Sequence, residues 1–234
     1  MSSDFDFEQD WIARLQSSLE ERGVDSRKIL ADSETLSDDS SRAQIIDWTR
    51  LAMERLESRE GLARSREILT ACSCSYPHEK LADLAVRYAV GGDLVEVHAL
   101  LQARFDEYLR DKLSLEPELI EEIRHQGMGL AGHLEDDRIV ATKIPASGNL
   151  RAWFAEKDPD RRRSLYCHCP RVREAASNPG SLPEFYCYCG AGFYQGIWET
   201  ILDRPVRVEL LSSVLSGDEV CRVAIYPESS IAQK

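Results

Sequence analysis

The sequence predicts an α+β protein: a helical N-terminal half over residues 1–125, then an α/β sandwich-like domain over 126–234 with a mainly antiparallel sheet. Three observations predict it. Apolar residues recur at helical spacing through most of the first half, with almost no alternating runs. The texture changes at Gly127, after which short β-type runs appear on either side of Glu135-Asp136-Asp137. Near the C-terminus, Val206, Val208 and Leu210 alternate with Arg207 and Glu209, and residues 220–226 return after the turn Ser216-Gly217-Asp218.

Residues 5–22 place Trp11, Ile12, Leu15 and Leu19 on one side of a helix that Gly23 stops. A Ser- and Asp-rich loop follows. Helices are expected at 40–56 (Ile45, Ile46, Trp48, Ala52, Leu56) and at 63–71, the latter running into Cys72-Ser-Cys74-Ser-Tyr76-Pro77. The pattern resumes at 78–90, stops at Gly91-Gly92, restarts over 95–113, and ends with a short helix from Glu116-Pro117 to about Gln126. In the second half, residues 128–134 and 138–144 suit a hairpin, and a helix is expected near 159–166. Ser177-Asn178-Pro179-Gly180 reads as a loop. Phe193, Ile197, Ile201, Trp198 and Leu202 form an apolar helical stripe closed by Pro205. Cys221 shares strand parity with Val223 and Ile225 and should face the buried side.

The cysteines are the sharpest signal. Seven are present, and six form three pairs one residue apart: Cys72/Cys74, Cys167/Cys169 and Cys187/Cys189. Random placement would give about 0.2 such pairs. The N-terminus lacks a basic and then apolar leader, and no apolar run reaches bilayer length, so a cytoplasmic protein with reduced thiols is expected. There, paired cysteines point to metal or redox chemistry. A zinc ion takes four thiolate or imidazole ligands, and Cys167, Cys169, Cys187, Cys189 and Cys221 are the candidate set. The count also permits an iron–sulfur cluster, ranked below zinc because ferredoxin spacing is missing. Cys72 and Cys74 are candidate nucleophiles, and His168, between two cysteines, is a candidate for a substrate-facing role.

The chain carries 29 Lys and Arg against 41 Asp and Glu, and the first half holds 16 and 27 of these, which argues against a nucleic-acid binder. One basic window, Arg161, Arg162, Arg163, Arg171 and Arg173, surrounds the Cys167-His168-Cys169 turn. It reads as a solvated helix face or as a local positive field that receives an anion. No Walker loop, dinucleotide fingerprint, nucleophile elbow or His-Glu-x-x-His motif occurs.

Cys189-Gly190, a helix, Pro205-Val206, a strand, and then Gly217-Asp218-Glu219-Val220-Cys221-Arg222 resemble the 4-vinyl reductase domain superfamily. The resemblance spans about residues 125–226 and points to a cysteine-rich bacterial branch. Related proteins include those described as L-2-amino-thiazoline-4-carboxylate hydrolases. The resemblance implies a small α+β ligand-binding unit, and in its sensor members a zinc site. By position, two of that site's four ligands fall on Cys189 and Cys221, and the other two on Ser212 and Ser213.

Three functions follow as expectations. One is a zinc-stabilised small-molecule-binding domain lined by Tyr166, Tyr186, Tyr188, Phe193, Tyr194 and Trp198, with Arg161, Arg171 and Arg173 meeting a carboxylate. Another is a thiol- or metal-dependent hydrolase of a small sulfur- or nitrogen-containing acid. The third is a sensor or adaptor acting through the helical half. The expected partner is a small molecule, without nucleic acid or membrane; the sequence also allows a homodimer.

Overall fold

In a computed structural model, residues 4–37, 39–175 and 180–227 are described, so the expected loop at 177–179 lies outside them. The first half is helical: α1 (Asp4–Glu21), α2 (Ser26–Ile29), α3 (Arg42–Ala71), α4 (Ala82–Gly91), α5 (Leu94–Asp111) and α6 (Pro117–His125). The second half holds β1 (His133–Leu134), β2 (Ile139–Thr142), α7 (Leu150–Ala155), α8 (Pro159–Tyr166), α9 (Pro170–Ala175), α10 (Tyr188–Leu202), β3 (Arg207–Ser212) and β4 (Arg222–Tyr226). The α+β class is therefore observed. The sheet is antiparallel in the order β1-β2-β4-β3.

Local chemistry explains the boundaries. Ser41 and Gln44 close a capping box at the start of α3, and Asp93 accepts from the backbone of Val95 and Glu96 to open α5. Asp158 caps α8, and Pro159 takes the first position, where no amide hydrogen is needed. The two helices expected at 40–56 and 63–71 form one run interrupted at Gly61, whose φ of 75° and ψ of 163° are non-helical. The expected 128–134 strand is mostly absent. Gly127, Gly129 and Gly132 all have positive φ; His133 and Leu134 pair with β2 as a strand, and Met128 makes an isolated parallel bridge to Thr142. Gly132 is needed there: a Cβ would sit 2.6 Å from the Val140 carbonyl oxygen.

The two halves share their hydrophobic cores. One cluster joins Trp11, Leu15 and Leu56 to Trp153, Phe185 and Cys221, and the other joins Leu84 and Leu101 to Trp198 and Ile225. Helix α10 lies between them. Its residues Ala191, Tyr194, Ile197, Trp198 and Ile201 are buried against α3, α4 and the sheet. Each large apolar side chain so buried stabilises the fold by about 1.5–3 kcal/mol. Among the described residues, no helix is long and apolar enough to cross a membrane.

A buried ionic group fastens α1 to the second half. Glu8 and Arg171, 1% and 0% exposed, form an ion pair, and Arg42 also pairs with Glu8. Arg171 Nη1 donates to the Tyr186 hydroxyl at 3.1 Å, and its guanidinium lies 4.1 Å from the centre of the Trp11 ring. Glu8→Ala would strand the Arg171 charge in the core, at an expected cost of about 3–5 kcal/mol in urea unfolding. A loss below about 1 kcal/mol would mean that this group does not hold α1 in place.

Candidate functional site

Beneath α1, a cavity of about 450 Å³ opens between the helical half and the start of α10. Segments from both halves of the chain build its wall. Helix α1 contributes Phe7 and Trp11; the end of α3 contributes Cys72 and, just beyond it, Cys74; and α5 contributes Phe105 and Tyr108. Lys143 and Ile144 follow β2, His168 and Cys169 come from the turn between α8 and α9, and Cys189, Phe193 and Tyr194 project from the first turns of α10. Gly129 has φ +121°, and a Cβ there would strike the Phe105 ring.

Backbone bonds fix the inner wall. The Lys143 amide donates to the Cys221 carbonyl at 2.9 Å. The Tyr166 hydroxyl donates to the Lys143 carbonyl and accepts from the Cys221 amide at 3.0 Å. Tyr166 is thus a buried clamp between β2 and β4 rather than a wall of the cavity.

Four cysteines, Cys72, Cys74, Cys169 and Cys189, line the cavity. Cys167, Cys187 and Cys221 lie buried outside its lining, within electrostatic reach of one another. The seven sulfurs are all free thiols. Burial pushes the Cys72 thiol up to about 12, against the pull of Arg14 and Arg171. Burial likewise pushes Cys167 up to about 12 and holds Cys187 and Cys189 well above the ordinary thiol range. Cys169 contacts the Tyr186 hydroxyl at 3.5 Å. Cys74 differs from the others: it is exposed, and Arg14 Nη2 donates to its sulfur at 3.6 Å.

Of the expected zinc ligands, Cys169 and Cys189 are therefore brought to the cavity, while Cys167, Cys187 and Cys221 are not in its wall. Among the described residues, no three His, Cys, Asp or Glu side chains converge closely enough to hold a metal ion. Four of the thiols line the cavity and three lie buried outside its wall. Ser212 and Ser213 serve the β3–β4 turn. The Ser213 amide donates to Asp218, and the Ser212 hydroxyl donates to the Val220 carbonyl at 2.9 Å.

The catalytic candidates Cys72, Cys74 and His168 all reach this cavity. His168 is exposed at its mouth, but crowding by protein and the charges of Lys143 and Arg173 lower its pKa to about 4. Its Nε2 lies 3.0 Å from the Ile144 carbonyl, so that nitrogen carries the hydrogen. Among the described residues, no sulfur lies within hydrogen-bond reach of the ring.

The ligand-binding candidates divide. Tyr194 lines the cavity. Trp198 is core and stacks on His98 with ring centres 6.2 Å apart, and Tyr188 lies outside the lining under the Arg66 guanidinium. The arginine window is corrected. Arg171 is wholly buried with Glu8, Tyr186 and Trp11, while Arg161 and Arg173 are outside the lining. Arg162 covers Trp153 at 3.9 Å, and Arg163 pairs with Asp160.

Three cations line the cavity: Lys80 is exposed, Arg104 pairs with Asp83, and Lys143, which sequence reading missed, is half-buried. Desolvation pushes its pKa down, but Cys167, Cys221, Cys189 and Tyr194 push it up further, and the ammonium stays charged. Among the described residues that ammonium has no ion-pair or hydrogen-bond partner. Its one sequence signal is a lysine at the end of the apolar strand Ile139–Thr142, just before Ile144-Pro145. That pattern does not distinguish a charge facing a cavity from one facing water.

Residues 117–232 match the model of a family of unknown function (DUF6144). No curated protein and no solved structure matches the chain.

Proposed function

We propose that this protein binds a flat, mainly apolar small molecule with one anionic group in the cavity between α1, α5 and α10. A single observation carries the reading: an aromatic-walled space of small-molecule size contains an ammonium with no protein partner. Trp11, Phe105, Tyr108, Phe193 and Tyr194 supply faces and edges for a planar ligand. Lys143 is half-buried and charged with no ion-pair partner among the described residues, and a ligand carboxylate would supply one. His168, neutral above about pH 5 by its lowered pKa, adds a hydrogen-bonding edge at the mouth and no charge.

The test is calorimetric titration with a panel of single-ring and fused-ring aryl carboxylates, each beside its neutral primary amide. Saturable one-site binding that favours the acid over the amide is expected. If no member binds, or if acid and amide bind equally, the reading fails.

A further inference from the structure

We infer that Cys74 is a nucleophile that forms a covalent thioether with conjugated carbonyl ligands seated in this cavity; the inference rests on the binding role just proposed. Four thiols line the space, and three are held back. Cys72 is fully buried, with its pKa pushed up to about 12 by desolvation. Cys189 is held well above the ordinary thiol range by burial and by the neighbouring Cys169 and Cys72. Cys169 is only partly open and is engaged by the Tyr186 hydroxyl. Cys74 alone among the four is solvent-exposed and has a guanidinium hydrogen on its sulfur. The exposed sulfur is open to an incoming carbon while the guanidinium holds it at the cavity wall. Arg14 is available for this, because it forms no ion pair with a carboxylate among the described residues and its Nε is buried without a partner.

The cavity adds the second requirement, a way to present carbon to sulfur. Lys143 and Cys74 line the same space. A ligand with an anionic end at Lys143 and a conjugated double bond toward the mouth would face the Cys74 sulfur. The matching ligand class is an α,β-unsaturated ketone or acid attached to an aromatic ring. In the step, a sulfur lone pair forms the C–S bond at the electrophilic alkene carbon. The alkene π pair moves toward the carbonyl as an enolate. The thiol proton leaves to solvent, and the enolate carbon takes one from solvent. The sum is addition of S–H across the double bond; nothing is oxidised or reduced, and no co-reactant is required.

The probe is 3-benzoylacrylate, planar, aromatic, anionic and conjugated, with 3-benzoylpropionate as its saturated, unreactive counterpart. Intact-mass and peptide-mapping kinetics on the full chain should show a single adduct on Cys74. The rate should saturate with probe concentration and exceed that of glutathione at the same pH by about tenfold or more. Cys74→Ser, at an exposed position, should fold and lose the fast adduct. Arg14→Gln, which removes the contact to the sulfur, should slow the adduct, and Arg14→Lys should restore part of the rate. Labelling that begins at Cys169 or Cys189, or a rate no faster than in urea-unfolded protein, would overturn the inference. If 3-benzoylpropionate binds but 3-benzoylacrylate leaves Cys74 unmodified, the nucleophile is refuted and the binding role stands. If neither compound binds, both are refuted.

Discussion

Gly192→Ala is expected to destabilise the protein by about 3 kcal/mol, the upper end of overpacking costs, in urea unfolding. A Cβ at this position of α10 would overlap the Thr70 carbonyl oxygen and come within 2.9 Å of the Ser73 Cβ. The obstacle is backbone, so no side-chain rotation relieves it, and α10 would have to move away from the end of α3. That end carries Cys72 and Cys74, so the cavity wall would move with it. Gly196, one helical turn further along α10, supplies the control. A Cβ there meets nothing within 4 Å, and alanine should raise stability by up to about 1 kcal/mol through helix propensity. Equal effects at the two positions would show that α10 and α3 do not meet as closely as described.

Lys143→Met should weaken binding of the preferred aryl carboxylate about 10- to 100-fold, the range for a lost charge-assisted hydrogen bond. The amide counterpart should be unaffected. Methionine is close to lysine's stem in volume, so the fold should change by less than about 1.5 kcal/mol, which separates lost binding from lost structure. The pH behaviour follows from the direction of the shift. Lys143 has its pKa raised in the folded protein, so its contribution to stability is complete below the unfolded value of about 10.4 and is lost as pH rises through the folded value. Carboxylate binding should accordingly stay level from about pH 5 to 9, with no inflection from His168, whose pKa is about 4. An affinity that halves across pH 6–7 would place another titrating group in the cavity and overturn the assignment to Lys143.

Much of the scaffold was legible residue by residue. The helix starts expected near residues 40, 95, 117 and 159 are observed, and the structure shows Ser41, Asp93 and Asp158 capping three of them, because capping depends on neighbours in the chain. Cys221 is buried, as strand parity suggested, but it lies just before β4 and in a different core cluster from Val223 and Ile225. The β1 strand came out shorter because three positive-φ glycines make the backbone before it a loop. The arginine window misled for a different reason. Five like charges near one turn are close in sequence, yet Arg171 is drawn inward by Glu8, 163 positions away, and Arg162 by Trp153.

By itself, the sequence determined the α+β class, the order of nearly all the elements and the presence of thiols in three matched pairs, since each depends on local periodicity or composition. Only the tertiary structure decided what those thiols surround. It placed Cys72, Cys74, Cys169 and Cys189 around an aromatic cavity and buried the others outside it, left Cys74 exposed with a guanidinium contact, and brought Lys143 to the wall without an ion-pair partner. The physical reason is that the local environment of a charge or a sulfur is set by side chains remote in sequence. Burial and electrostatic neighbours arise only after α1, α5 and α10 have closed over the same space.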